Sequence, residues 1–168
     1  MSDTQFDLVI IGAGPGGYTG AIRAAQLGLK TAVIEKDKTL GGTCLNVGCI
    51  PSKALLDSSE HFSMAQHDFS DHGIKVSKVE LDLDAMMARK SKIVKELTGG
   101  IEFLFKKNNI ATFKGTGRLT SPNSIEVTAA DGSKQEIHAQ NIVLATGSVP
   151  NALPSLPFDE KTIFSSTE

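Results

Sequence analysis

The sequence predicts an α/β fold, with a mainly parallel sheet, helices and an antiparallel β-meander. An apolar segment at residues 6–11 precedes a Gly-rich turn, an Ala-rich helical segment and a second apolar segment, which together predict a βαβ unit. Residues 84–108 form a long amphipathic pattern, with apolar positions three, four and seven residues apart. In the second half, two strand-like segments flank Asp131-Gly132, a strong hairpin signal.

Length and composition indicate one globular domain with a substantial core. The chain has 168 residues, of which 40% are hydrophobic and 21% charged. A net charge of -2 gives no indication of a nucleic-acid or anionic-membrane partner. No apolar run is long enough to span a bilayer. Residues 1–7 carry neither a signal-peptide core nor an Arg-rich transit segment, so we expect a cytoplasmic protein, most simply a bacterial one.

The first elements form the predicted βαβ unit. A buried strand at residues 6–11 leads into the turn at 12–17, and a helix follows at 18–27. Gly28 suits the end of this helix because glycine readily adopts the left-handed conformation found there. A second strand at 31–34 completes the unit, for which a right-handed crossover is expected.

Two further helices are predicted before the second half of the chain. One runs from Ser52 to about Gln66, and a polar loop follows at 67–73. The other covers residues 84–108 and contains Gly99 and Gly100, each costing about 1 kcal/mol in a helix. The glycine pair indicates a close approach of another backbone or a ligand, or a local kink.

The remainder is predicted as strands, with an antiparallel meander over residues 111–138. A Thr-Gly-Ser turn at 146–148 follows, and three prolines then mark an exit from the domain. We therefore expect a domain at residues 1–150 and an exit segment at 151–168, whose last four residues resemble a helix N-cap. The predicted strands are 111–119, 124–128, 135–138 and 141–145.

The turn at residues 12–17 has the spacing of a dinucleotide-binding fingerprint. Gly12 permits the sharp turn, Gly14 lets the backbone approach a pyrophosphate, and Gly17 lets the helix pack on the strand. The pyrophosphate would lie against the N-terminus of the helix. Glu35, at the end of the second strand, would accept hydrogen bonds from an adenosine ribose.

Both cysteines, Cys44 and Cys49, lie in one short segment after a glycine pair. A disulfide between them would close a very short loop and stabilise the fold by only about 2 kcal/mol. A pair near a helix start is better suited to cycling between thiol and disulfide, because the helix N-terminus favours the reactive thiolate. Metal binding is the alternative, but structural zinc needs four ligands and there is no second cysteine pair.

The fingerprint and the segment Gly-Gly-Thr-Cys-Leu-Asn-Val-Gly-Cys-Ile-Pro-Ser-Lys at 41–53 resemble the flavin-dependent pyridine nucleotide–disulfide oxidoreductases. The resemblance covers the whole chain and implies a Rossmann-like FAD-binding sheet. Within the family, the chain most resembles the dihydrolipoyl dehydrogenases. Glutathione and mercuric reductases are similar too, but they usually carry valine in place of Leu45 and Ile50.

The resemblance implies a role for each site residue. Cys44 would be the interchange thiol that reacts with the dithiol substrate, and Cys49 the thiolate beside the flavin. Lys53 would stabilise negative charge on the reduced flavin. The fingerprint glycines and Glu35 would contact FAD, as would the two cysteines and Lys53. Further cofactor contacts are expected at Pro15, Gly16, Lys36, Gly42, Thr43, Gly117, Ala145, Thr146, Gly147 and Ser148.

The resemblance also implies an activity and partners for the parent enzyme. Electrons would pass from a dihydrolipoyl group to the cysteine pair, then to FAD and finally to NAD⁺. The lipoyl domains of 2-oxoacid dehydrogenase or glycine-cleavage complexes would be the partners, and the enzyme would be a homodimer. The family's NAD fingerprint and its acid–base histidine are expected after Glu168. The chain is therefore expected to be the N-terminal part of the FAD domain, and inactive by itself. A stand-alone FAD-binding or redox module is the alternative.

Overall fold

Six strands and four helices make up the protein in a computed structural model, which describes residues 4–165 and residue 167. The mixture of strands and helices agrees with the α/β prediction. None of the helices in these residues is long and apolar enough to cross a membrane. In chain order the elements are β1 (Gln5–Ile11), α1 (Pro15–Gln26), β2 (Thr31–Glu35), α2 (Gly42–Asn46), α3 (Cys49–His67), α4 (Leu83–Lys107), β3 (Ala111–Lys114), β4 (Thr116–Ser121), β5 (Ser124–Thr128) and β6 (Lys134–Leu144).

The strands form one sheet in the order β3-β2-β1-β6-β5-β4. β1 pairs in parallel with β2 on one side and with β6 on the other, and β3 pairs in parallel with β2. The predicted βαβ unit is therefore confirmed, since β1 and β2 are parallel neighbours joined through α1. The carboxyl ends of β1, β2 and β6 meet at one edge of the sheet, and the loops that follow them are brought together there.

β2 and the last three residues of β1 are buried on both faces, which explains their nearly continuous apolar sequences. Ile10 and Val33 point to one face, where they pack with apolar residues of α1, α2 and α4. Ile11 and Ile34 point to the other face, where they pack against the meander strands β5 and β6, including Ile125. The meander therefore covers the face of the parallel sheet that the helices leave open.

The predicted single strand at residues 111–119 is wrong, because it is two strands that meet at Gly115. Gly115 has φ +151, and a Cβ there would clash with the carbonyl oxygen of Thr128. β3 pairs in parallel with β2, whereas β4 pairs antiparallel with β5. The antiparallel meander thus consists of β4, β5 and β6 only, and residues 111–114 belong to the parallel part.

The two strands predicted at residues 135–138 and 141–145 are one continuous strand, β6, which ends at Leu144. Its first half pairs antiparallel with β5, and from His138 onward it pairs in parallel with β1. Because the partner changes at His138, the apolar pattern also changes there, and the sequence alone suggests an interruption. β6 therefore connects the meander to the parallel strands.

The helices differ from the prediction at several points. α1 begins at Pro15 rather than at residue 18, and the short helix α2 was not predicted. α3 begins at Cys49 rather than at Ser52, and α4 begins at Leu83, where the side chain of Asp82 accepts a hydrogen bond from the Ala85 amide (2.9 Å). At Gly99 and Gly100 a Cβ would meet none of the described atoms within 4 Å, and α4 continues through both. No close approach by another described segment accounts for this glycine pair. The N-cap predicted at residues 165–168 includes Ser166 and Glu168, which lie outside the described residues.

Candidate cofactor and thiol site

A cavity of about 630 Å³ lies at the carboxyl ends of the parallel strands. The fingerprint turn after β1, the cysteine segment after β2 and the turn after β6 line it together. Fourteen of the residues expected in the site line this cavity: Gly12, Gly14, Pro15, Glu35, Lys36, Gly42, Thr43, Cys44, Cys49, Gly117, Ala145, Thr146, Gly147 and Ser148.

Gly12 and Gly17 allow the turn to pack closely against its surroundings. Gly12 has φ +102, and a Cβ on it would clash with the carbonyl oxygen of Ala145 at the end of β6. A Cβ on Gly17 would clash with the carbonyl oxygen of Gly12. Gly17 is buried in this contact and does not line the cavity. Gly16 is exposed on α1 and does not line the cavity either.

The N-terminus of α1 faces the cavity with its backbone accessible. Gly14 is the N-cap, and Pro15 occupies the start of the helix. No hydrogen bond from a described side chain caps this end, and the first turn contains no acidic residue. The amides at a helix start carry partial positive charge, so this end is suited to hold an anionic group. The space beside Gly14 is also open, since the nearest atom to a Cβ there would be the Gly42 Cα at 3.9 Å.

Glu35 ends β2 and is buried, with 5% of its surface exposed. Its Oε2 accepts a hydrogen bond from the Ala13 amide in the fingerprint turn (2.8 Å). Its Oε1 accepts one from the Asp37 amide (2.8 Å). The carboxylate therefore holds the fingerprint turn and the loop after β2 together. It keeps further acceptor capacity, because each carboxylate oxygen can accept more than one hydrogen bond.

The two cysteines are free thiols on adjacent helices. Cys44 lies in the short helix α2 and is half-buried, while Cys49 is exposed and is the first residue of α3. The pKa of the Cys44 thiol is raised above its ordinary value, mainly by a hydrogen bond to Cys49, then by desolvation and by the negative charge of Cys49. Cys44 therefore retains its proton more strongly than an isolated thiol would.

Lys53 lies one turn further along α3 and is exposed, and it does not line the cavity. Its positive charge acts on the thiol pair by lowering the pKa of Cys44, in opposition to the larger effect of Cys49.

Within the described residues, no group of three or more His, Cys, Asp or Glu side chains is arranged to hold a metal ion. The two cysteines form a dithiol that lies beside the open cavity.

Seven lining residues were not among those expected. Ile11 is the last residue of β1 and Ile34 the last but one of β2. β4 lies close to both, since a Cβ on Gly117 would lie 3.3 Å from side-chain atoms of each. Both residues lie at or next to the end of a predicted strand, and this position was the signal from which their place in the cavity could have been predicted. Of the other five, four directly adjoin an expected residue, and Gly115 lies two residues before Gly117. The seven are Ile11, Ile34, Asp37, Gly48, Gly115, Thr116 and Val149.

Comparison with known proteins identifies the class to which this fold and site belong. The family described as pyridine nucleotide-disulphide oxidoreductase matches residues 6–167. The chain is a member of that family, as its fingerprint turn and cysteine pair indicated.

Individual relatives are similar over nearly the whole chain. Dihydrolipoyl dehydrogenase 1, mitochondrial, of Arabidopsis thaliana is 58% identical over 161 residues, which is 96% of this chain and 32% of the relative. The human protein named dihydrolipoyl dehydrogenase, mitochondrial, is 55% identical over 162 residues, 96% of this chain and 32% of the relative. A leghemoglobin reductase of Vigna unguiculata is 56% identical over 161 residues, 96% of this chain and 31% of the relative. The chain thus spans about a third of the length of these relatives.

The prediction of a bacterial cytoplasmic protein is contradicted by these relatives. Highly similar proteins from Arabidopsis thaliana, Homo sapiens and Dictyostelium discoideum are all named as mitochondrial dihydrolipoyl dehydrogenases. The prediction rested on the composition of residues 1–7, and a short leading segment carries little information about location.

Proposed function

We propose that this chain forms the FAD-binding and thiol-bearing part of a dihydrolipoyl dehydrogenase. One observation carries the proposal: Cys44 and Cys49 line the same cavity as the fingerprint turn. A thiol pair and a dinucleotide site that share one cavity can exchange electrons directly. The relatives named dihydrolipoyl dehydrogenase support the choice of substrate within the family.

The residues around the cavity fit FAD. The amides at the start of α1 suit its pyrophosphate, and the open space beside Gly14 allows the close approach. Glu35 lies at the end of β2, where an acidic residue binds the ribose in dinucleotide sites. We assign the backbone of Gly117 to the adenine, and the turn at residues 146–148 to a second contact with the cofactor.

The thiols would perform the exchange with substrate. In the oxidised state, Cys44 and Cys49 share a disulfide. A dihydrolipoyl thiolate attacks Cys44, and the bond between the two cysteines breaks. The second substrate thiol then displaces Cys44, so the substrate leaves as a disulfide and its two electrons remain with the cysteine pair. Of the two substrate protons, Cys44 takes one and the other is released, which leaves Cys49 as the thiolate. The raised pKa of Cys44 supports these roles, because Cys44 keeps its proton when negative charge resides on Cys49.

Charge at the pair would be stabilised by α3. Cys49 is the first residue of this helix of 19 residues, so negative charge there interacts favourably with the positive end of the helix. Lys53 adds a positive charge one turn away. When bound, FAD supplies the two-electron acceptor that links the thiols to NAD⁺.

The remaining partners belong to the same proposal. Lipoyl domains of 2-oxoacid dehydrogenase or glycine-cleavage complexes would bring the dithiol substrate, and the full enzyme would act as a homodimer. NAD⁺ would be the final electron acceptor.

A titration and a trapping experiment test the proposal. The purified chain is titrated with FAD, and binding is followed by the change in flavin fluorescence. The disulfide form is then incubated with dihydrolipoamide, and the new thiols are alkylated and located by mass spectrometry. We expect FAD to bind, and we expect alkylation of both cysteines. Cys44→Ser should abolish the exchange with substrate. Failure of FAD to bind, or persistence of the disulfide in excess dihydrolipoamide, would contradict the proposal.

A further inference from the structure

Asn46 lies between the two cysteines in the chain and makes three side-chain hydrogen bonds. Its Oδ1 accepts one from the Thr39 hydroxyl (2.7 Å). Its Nδ2 donates to the carbonyl oxygens of Leu40 (3.1 Å) and Gly42 (2.9 Å). Thr39 and Leu40 lie in the segment that leads into α2, whereas Gly42 is the first residue of α2. The amide therefore joins the end of α2 to that segment through two hydrogen bonds, and it links the two ends of α2 through the third.

That segment is itself held against the fingerprint turn. The Gly41 amide donates to the Ala13 carbonyl (2.9 Å). A Cβ on Gly42 would lie only 2.7 Å from the Cα of Gly14, so the two backbones are in direct contact. Asn46 therefore connects the helix that carries Cys44 to the turn that lines the cofactor cavity.

α2 depends on such contacts because it has only five residues. A helix this short is not stable in isolation, and its position is set by interactions with its surroundings. A disulfide also requires a narrow range of distances and dihedral angles between its two cysteines. The freedom of α2 consequently determines how often the Cys44 sulfur can reach the Cys49 sulfur.

We propose that Asn46 is a positioning residue for the redox pair. Its three hydrogen bonds hold α2 so that the disulfide between Cys44 and Cys49 can form without a further loss of chain entropy. Removal of the amide gives α2 more conformational freedom, which lowers the effective concentration of each thiol near the other. The equilibrium therefore shifts toward the dithiol. The inference rests on the proposed function, in which this pair cycles between dithiol and disulfide.

The equilibrium between the two forms provides the test. The 168-residue chain is incubated without oxygen in mixtures of reduced and oxidised dithiothreitol, then quenched with acid and alkylated. In the measured reaction, the protein dithiol becomes a disulfide and oxidised dithiothreitol becomes its dithiol, with two electrons and two protons transferred. Mass spectrometry gives the fraction of each form and hence the equilibrium constant, with no dependence on bound FAD or on turnover.

Asn46→Ala is compared with Asn123→Ala, which serves as a matched control. The Asn123 Nδ2 also donates to two carbonyl oxygens, those of Ala139 (2.8 Å) and Gln140 (3.0 Å), but it does so in the meander. We expect Asn46→Ala to shift the equilibrium toward the dithiol about tenfold, or about 30 mV for this two-electron couple. Asn123→Ala should lower thermal stability without a shift. Equal equilibrium constants in the two variants would overturn the inference.

Thr39→Val and Thr39→Ser keep the inference testable if Asn46→Ala does not fold. Thr39→Val removes only the hydroxyl that donates to Asn46, so a smaller shift in the same direction is expected, while Thr39→Ser should match the parent chain. An unshifted Thr39→Val would count against Asn46 as a positioning residue. If the parent chain forms no disulfide at any ratio of dithiothreitol, the proposed function fails instead, so the two failures are distinguishable.

Discussion

The backbone of Gly17 rests directly on the carbonyl oxygen of Gly12. A Cβ added at Gly17 would clash with that oxygen, and Gly12 itself adopts φ +102. The first turn of α1 thereby packs onto the end of β1 with no side chain between them. Because this contact joins two backbones, neither partner can move aside without displacing a helix or a strand.

Gly17→Ala is therefore expected to destabilise the fold itself. The added methyl group must displace α1 from β1, with an expected loss of about 3 kcal/mol. For a chain of this length, that corresponds to a fall in Tm of roughly 10 °C. Gly16→Ala is the control, because a Cβ at Gly16 meets no described atom within 4 Å. Thermal unfolding of the cofactor-free protein measures both, and equal Tm values would contradict the prediction.

Gly14→Ala should separate cofactor binding from folding. Gly14 has φ -69 and ψ -176, which any residue can adopt, and the nearest atom to its Cβ would lie 3.9 Å away. The cofactor-free protein should keep its Tm to within about 2 °C, since such a site tolerates alanine. The methyl group would enter the space assigned to the pyrophosphate, so we expect FAD affinity to fall at least tenfold. Unchanged affinity in a fluorescence titration would refute the assignment of Gly14.

Glu35→Gln should weaken the connection between the fingerprint turn and the loop after β2. The two carboxylate oxygens accept from two backbone amides, Ala13 and Asp37, whereas glutamine offers one oxygen and an NH₂ group. One of the two amides loses its acceptor, at an expected cost of about 1 kcal/mol, or up to about 3 kcal/mol if it is the buried Ala13 amide. Urea unfolding measures this loss. Glu102→Gln, a change at an exposed residue of α4, should leave the free energy of unfolding unaltered. If Glu102→Gln lowered the free energy of unfolding by a similar amount, the loss in Glu35→Gln could not be assigned to the Ala13 and Asp37 amides.

Cys49→Ala should make Cys44 more reactive at a given pH. Cys49 raises the pKa of Cys44 through a hydrogen bond and its negative charge, so its removal lowers that pKa and increases the thiolate fraction. The rate of Cys44 alkylation by iodoacetamide, measured against pH, should reach its midpoint at lower pH than in the parent chain. Lys53→Met provides a control of opposite sign: Lys53 lowers the pKa, so its loss should move the midpoint to higher pH. Midpoints that move together would contradict this account.

Local sequence patterns were sufficient for the βαβ unit and for most of the cavity. The glycine spacing at residues 12–17 and the apolar segments on either side predicted two parallel strands that are neighbours in the sheet. Asp131-Gly132 predicted the hairpin between β5 and β6, where Gly132 adopts φ +83. These features are encoded locally, because a positive φ or a helix start depends on only a few adjacent residues.

The sequence by itself determined the class of fold and the family, and it predicted most of the residues that line the cavity, since each of these rests on a short motif. Tertiary structure alone decided where strands divide or continue. In sequence, β3 and β4 resemble one strand, but in the structure they meet at Gly115 and pair with different strands. β6 resembles two strands in sequence, because its pairing partner changes at His138. Tertiary structure also decided that Glu35 accepts a hydrogen bond from the Ala13 amide and that Cys49 raises the pKa of Cys44. Such features depend on pairing and contact between distant segments, and the order of residues within one segment does not specify them.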